Sequence, residues 1–361
     1  MYLNKLTINK FRGINSLEID DFQRINLFVG KNNSCKTSLL ETIFLLAGVS
    51  NPQLLISIDN LRRLRHIKNE DFNYIFYNLN HENQLIITGE FNNGHSRNLH
   101  ITPSINQNFN EKNTEVFNKD ENKEMDFDTN SFTNKITGIV FNFEIKDQHK
   151  HKQNFKSSII SQNNITRIDI AKNYIETLKG SFISSNVNSS ISNKLERLII
   201  SKKQKILVEI LKNIDSSIND ISLGISGMIY IDIGIEKLVP INILGDGIQK
   251  LLNLILTIID TPNGIVLIDE IENGLYYSAL KVLWKSVIEV SEEYNVQLFI
   301  TTHNFETLKY LKEVLEMEEM LKYRDYIRSF TLRKMQDNII KPYKYNFESF
   351  EYSLEQGIEI R

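Results

Sequence analysis

Residues 30–38 read GKNNSCKTS. The pattern is one residue away from G-x-x-x-x-G-K-[ST], with Cys35 where the second glycine would stand. INLFV (25–29) before it reads as a buried strand, and apolar residues at 39, 40, 43, 44, 46 and 47 after it fall at helical spacing. A strand–loop–helix of this kind turns successive backbone N–H groups toward an anion, and the helix N-terminus adds positive dipole. Gly30, Asn32, Asn33, Ser34, Cys35, Lys36, Thr37 and Ser38 are therefore candidate phosphate contacts. Lys36 would reach the β- and γ-phosphates, and the Thr37 hydroxyl would face Mg²⁺. At the start of the helix, the position of Cys35 is expected to need a small side chain more than a positive φ.

Three further segments carry chemistry. GIVLIDEIENG (264–274) is an apolar strand ending in two carboxylates. Asp269 suits a metal and Glu270 a water about to attack phosphorus. Alone, the segment is an apolar strand running into an acidic turn; paired with the loop at 30, it reads as the second half of a phosphate site. QLFITTHN (297–304) places His303 just beyond the end of another apolar strand, where ligands sit in open α/β sheets. INILGDGIQKLLNLIL (241–256) sets Gly245, Asp246 and Gly247 before a helix. Glycine there permits either a close approach to an anion or a plain helix-capping turn, and position alone leaves both open.

The elements that must hold these residues are legible in outline. YLNKLTI, NSLEI and QLIITGEF alternate as strands, and from 245 onward helices and short apolar strands alternate as in a parallel α/β sheet. The segment 104–135 is rich in Asn, Lys, Asp and Glu and reads as an inserted polar loop. ITGIVFNFEI (136–145) returns to strand, and a second polar stretch, KDQHKHKQNFKSS, follows it as a loop. Its His149 and His151 lack the carboxylate or Cys companions of a metal site. One long helix is expected within about 187–215. The division that follows is 1–103 and 216–361 as two parts of one domain, with 104–215 as an insertion. LRRLRHIK (61–68) and SKKQK (201–205) are basic runs that either lie in solvent or meet nucleic-acid phosphates.

The whole chain narrows the classes. It has 361 residues, a net charge of −3, and 41% hydrophobic and 24% charged residues. No global basic field steers it to nucleic acid. Its single cysteine excludes an internal disulfide and fits a cytoplasmic setting. The longest apolar stretch, LLNLILTII (251–259), is too short to span a bilayer, so no membrane partner is expected.

In order, GKNNSCKT, ILGDGIQK, GIVLIDEIENG and FITTHN resemble the ABC-type ATPase heads of the SMC/RecF/OLD group. The opening KLTINKFRGI also resembles that group, and the closing LEQGIEIR is similar to the ending of its stand-alone OLD-like members. The resemblance covers roughly 1–100 and 220–361. It implies a mostly parallel sheet flanked by helices, an antiparallel β lobe and a partly helical insertion. ATP and Mg²⁺ are the implied cofactors, with Arg12 approaching the nucleotide, Glu270, His303 and Lys36 catalytic, and Thr37 and Asp269 on the metal. It also implies a homodimer or higher oligomer, in which Gly245, Asp246 and Gly247 contact ATP in trans. No clear Q-loop glutamine is visible; Asp71 stands nearby. No coiled-coil arm is expected, and the 58 residues after His303 are short for a TOPRIM nuclease. The expectation is an ATPase that works with a separate effector, a nuclease or toxin, in bacterial antiphage defence. A RecF-like clamp on DNA is the alternative, with Arg62, Arg63 and Arg65 as contacts.

Overall fold

The computed structural model describes residues 1–62, 64, 71–105, 136–162, 165–184 and 191–357. Arg63, Arg65, most of the polar loop and the last four residues of LEQGIEIR lie outside them.

The N-terminal part supplies β1 (Leu3–Phe11), β2 (Ile14–Ile19), β3 (Ile25–Val29), α1 (Lys36–Ala47) and α2 (Gln53–Leu61). There follow β4 (Leu85–Phe91), β5 (Ser96–Ile105), β6 (Ile136–Lys146), β7 (Lys152–Gln162), β8 (Ile165–Asp169) and β9 (Gly180–Ile183). Next come α3 (Ile191–Ile200), α4 (Gln204–Lys212), β10 (Asp220–Leu223), β11 (Ile229–Asp232) and β12 (Val239–Pro240). The last part holds α5 (Asp246–Ile259), β13 (Ile265–Ile268), α6 (Leu280–Glu293), β14 (Gln297–Thr301), α7 (Phe305–Leu315), β15 (Ile327–Lys334), β16 (Ile340–Tyr345) and α8 (Phe347–Glu355).

These strands form an antiparallel sheet, β2-β1-β4-β5-β6-β7-β8, a small sheet, β10-β11-β12, and a central sheet, β16-β15-β3-β14-β13-β9. In the central sheet every neighbouring pair but β15–β16 is parallel. Three of its strands, β3, β13 and β14, are buried along their whole length and read as short apolar runs because both faces are covered. Ile25, Leu27, Val266, Ile268, Leu298 and Ile300 enter the core beneath α5, α6 and α7. Their alternates Phe28, Ile265, Leu267 and Phe299 enter the core shared with α1 and the antiparallel sheet. The register pairs Ile300 with Ile268 and Leu27, so the carboxyl ends of β13, β14 and β3 lie side by side.

Two elements differ from expectation. The polar stretch after β6 holds β7, paired with β6 from Gly138↔Ile160 to Lys146↔Lys152. Its buried positions, Ser157 and Ile159, alternate with polar residues on the open face, so composition alone suggested a loop. The single long helix is two, α3 and α4, broken at Ser201–Lys203, where Lys202 has φ 58°. Within the segment 104–215, β6–β8 extend the antiparallel sheet and β9 pairs with β13, so this stretch takes part in both sheets. Among the described residues, no helix is long and apolar enough to cross a membrane.

Candidate functional site

The phosphate loop joins β3 to α1 and lines a cavity of about 840 Å³, together with Asp269, Glu270 and Thr301. Gly30 has φ 151°, and a Cβ there would come within 2.9 Å of Leu332 O, so only glycine fits this turn. Asn33 and Cys35 both have positive φ, 67° and 66°. The resulting backbone reversals form the concave nest that an anion requires. Cys35 is the N-cap of α1 in the left-handed conformation, φ 66° and ψ 20°. The expectation that size mattered there more than φ is thus corrected: glycine suits this position because the backbone is left-handed, at a cost to cysteine of about 1–2 kcal/mol. Room for the thiol comes from Gly13, where a Cβ would stand 3.2 Å from Cys35 Sγ. Burial raises the thiol's pKa, against the opposing pull of Lys334, Arg62 and Lys36.

Lys36 Nζ folds back to donate to Gly30 O at 2.7 Å and Lys31 O at 3.0 Å. Burial lowers its pKa, and Asp269 and Glu270 partly restore it. Thr37 Oγ1 lies 3.0 Å from Asp269 Oδ2 and 3.2 Å from Oδ1. Adjacent oxygens of an octahedral Mg²⁺ shell are about 3 Å apart, so this hydroxyl and carboxylate fit that ion. Asp269 is fixed from behind by Thr301, whose Oγ1 donates to Oδ1 at 2.6 Å. The same oxygen accepts the Glu270 N–H at 2.9 Å. Glu270 has φ 52°, so a strained backbone turns it at the strand end.

His303 stands beside Glu270, with Nδ1 3.6 Å from Glu270 Oε1 and 3.4 Å from Glu272 Oε1. Its backbone N–H donates to Glu272 Oε1 at 3.1 Å. Glu272, buried and unmarked in the sequence reading, therefore seats the histidine. Gly245, Asp246 and Gly247 line no part of this cavity. Gly245 is the N-cap of α5 with φ 101°, and among the described residues, its own helix and chain neighbours aside, no atom lies within 4 Å of where its Cβ would be. Lys250, one turn on, donates to Glu270 O at 3.1 Å and also to Asn273 O. Burial brings its pKa down to about 8.

Arg12 lines the cavity, but its guanidinium is held by Asp59 Oδ1 at 2.6 Å and Glu41 Oε2 at 3.0 Å. Glu41, buried within α1, also takes Arg62 Nε at 2.6 Å. Arg62 Nη2 reaches Ser38 Oγ at 3.1 Å and lines the cavity. The arginine read as a DNA contact thus stands in the phosphate site. Its signal was hidden inside a basic run that looked like surface. Of the other basic run, Ser201, Lys202, Lys203 and Lys205 are exposed at the α3–α4 break. His149 and His151 sit at the β6–β7 turn, where His151 Nδ1 meets Asp147 Oδ2 at 3.1 Å. Asp71 opens a short turn, Asp71–Ile75.

Comparisons with known proteins agree with this geometry. The family model described as an AAA ATPase domain matches residues 1–207 and 168–306. An ATP/GTP phosphatase of Helicobacter pylori is 24% identical over 98% of both chains. The DNA replication and repair protein RecF of Lactobacillus acidophilus is 47% identical over 47 residues, 13% of this chain and 12% of its own. RecF of Actinobacillus pleuropneumoniae is 42% identical over 72 residues, 20% and 19% of the two chains. Among solved structures, an SMC head bound to the C-winged helix domain of ScpA covers 98% of this chain and 100% of its own, with TM-score 0.50 and 11% identity. That likeness speaks for the fold alone. With a family match over most of its length, on an SMC-head type of α/β fold, the chain belongs to the AAA ATPase domain family and is an ATPase.

Proposed function

We propose that the chain is an ATP-hydrolysing switch that closes as a homodimer, the N-terminus of α5 in one copy meeting the triphosphate held by the phosphate loop of the other. One observation carries this reading. Gly245 caps a fourteen-residue helix with open space where its Cβ would be, among the described residues, while the Gly245–Gly247 segment lines no part of its own chain's phosphate cavity. A helix N-terminus of this kind suits an anion brought by a second molecule. In the closed state Lys36 neutralises charge on the γ-phosphate and Arg62 adds a second cation. Glu270 takes the proton of the water that attacks the γ-phosphorus while the bond from that phosphorus to the ADP oxygen breaks, and His303 steadies Glu270 and the transferred γ-phosphate. Thr37 and Asp269 hold Mg²⁺, which withdraws charge from the phosphate oxygens when bound.

The test uses Glu270→Gln. With ATP and Mg²⁺, native mass should move from one copy to two, and the shift should vanish in Glu270→Gln/Lys36→Ala. A mass indifferent to ATP rejects the dimeric switch.

The role of that switch rests on the resemblance: a cytoplasmic sensor or regulator in antiphage defence, acting through a separate nuclease or toxin. Co-purification from the native locus with its flanking genes should yield a stoichiometric second protein. The local matches to RecF favour a second reading, an ATP-dependent clamp on DNA. The exposed lysines of 201–205 are then its contacts, and binding should fall steeply with salt. Arg62, engaged with Glu41, lends that reading little.

A further inference from the structure

A second pocket, of about 250 Å³, opens at the break between α3 and α4. It shares no lining residue with the phosphate cavity and sits at the C-terminal end of α5, roughly 20 Å along that helix from Gly245. Lys194, Arg197, Leu198 and Ser201 recur at steps of three and four, so one face of α3 and its last turn presents them together. The floor of the pocket is apolar: Leu198 of α3, Leu256 and Ile259 of α5, and Pro262 beyond.

The rim is cationic. Lys194, Arg197 and Lys203 line it against one carboxylate, Asp260. That carboxylate is already engaged. Arg197 Nε and Nη2 donate to its two oxygens at 2.9 and 3.0 Å, and Lys179 Nζ stands 3.5 Å away. Lys203 has no carboxylate partner among the described residues; its ammonium lies 5.3 Å from the centre of the Tyr294 ring. Lys202 and Lys205, exposed beside it in the chain, add to the positive field. Tyr294 stands in the wall, and its buried hydroxyl has no hydrogen-bond partner among the described residues. A hydroxyl left so is unfavourable, and an acceptor brought into the pocket would relieve it.

Size and chemistry together select the ligand. Small-molecule sites run to about 300–1,000 Å³. This pocket falls below that range and takes one large side chain, as the anchor pockets of protein interfaces do. Nucleic-acid phosphates would use the cations and leave the apolar floor uncovered. We propose that the pocket receives a protein partner through one aromatic side chain, on a segment whose flanking carboxylates meet Lys203 and its neighbours. The proposal rests on the reading of an ATPase that acts through a separate effector, and it names what that effector must present.

The experiment selects binders to the full chain from a random-heptapeptide phage library at low salt. The variants are Ser201→Trp, which fills the pocket from its rim, and Lys203→Glu, which reverses the rim charge; both positions are exposed, so the fold is spared. Enriched peptides should carry one aromatic residue flanked by carboxylates. By fluorescence anisotropy, the tightest should bind each variant about tenfold or more weakly than wild type, and the loss in Lys203→Glu should shrink as salt is raised. No enrichment, or enriched peptides that bind Ser201→Trp like wild type, overturns the pocket. An effector that co-purifies would then dock elsewhere, so the reading of a separate effector is judged on its own. A labelled DNA duplex is the rival probe. Duplex binding lost in Lys203→Glu and kept in Ser201→Trp, with no peptide enriched, assigns the surface to nucleic acid and overturns the proposal.

Discussion

Thr301 and Asp269, at the ends of neighbouring parallel strands, are joined by a 2.6 Å hydrogen bond from hydroxyl to carboxylate. The hydroxyl's acceptor side takes the N–H of Glu270 at 2.9 Å. One fully buried oxygen therefore fixes both the carboxylate suited to Mg²⁺ and the backbone of the residue proposed to take the water's proton. Thr301→Val keeps the shape and removes the oxygen. We expect about 1–3 kcal/mol of lost stability, a fall in kcat of about tenfold, and a higher Mg²⁺ requirement for binding a non-hydrolysable ATP analogue. Thr301→Ser should restore all three. Equal behaviour of the two variants would remove the hydroxyl from this role.

Glu270→Gln keeps the side chain's size and loses its basicity. Turnover should fall by about 10²–10⁴-fold with ATP affinity retained. Single-turnover hydrolysis measures this directly, and a wild-type rate would assign the base elsewhere.

Glu41 is buried between two arginines, Arg12 and Arg62, at 3.0 and 2.6 Å. Removing it leaves the buried Arg12 with Asp59 alone and takes the carboxylate partner of the partly exposed Arg62. Glu41→Ala should cost about 3–5 kcal/mol in denaturant unfolding. A loss under about 1 kcal/mol would mean that these arginines rearrange into solvent.

Lys250 gives a pH signature. The unfolded chain keeps this proton up to about 10.5, whereas burial in the folded chain releases it at about 8. The folded state is thus penalised below pH 8, and the penalty lifts between pH 8 and 10.5 as the unfolded state becomes the one holding more protons. Measured against Lys250→Met, which has no such proton, wild-type stability should rise across that window. A flat difference would place the ammonium in solvent.

Cys35 tests the loop chemically. Its thiol lines the cavity, and burial raises its pKa, so maleimide labelling should be slow near neutral pH and quicken at higher pH. Labelling should abolish ATP binding, and bound ATP should protect the thiol. A labelled protein that still binds ATP would put the phosphates elsewhere.

The sequence by itself determined the phosphate loop, the strand ending in Asp269-Glu270 and the strand before His303. In each, a short apolar run and its punctuation are local facts that survive any packing. It also showed three central strands, β3, β13 and β14, for the same reason: strands buried on both faces read as short apolar runs, whereas β9 and the edge strand β16 do not. Only the tertiary structure decided the rest. Cys35 looks like a size substitution until the backbone is seen at φ 66°. Arg62 looks like surface until α2 carries it back over Glu41 and Ser38. Glu272 and Thr301 are ordinary residues whose meaning lies in neighbours distant in the chain, His303 and Asp269. β7 escaped notice because a strand with one open face carries polar residues at every second position. Local periodicity records what a segment is made to bury; which groups then meet is set by the register of strands that the chain brings together from far apart.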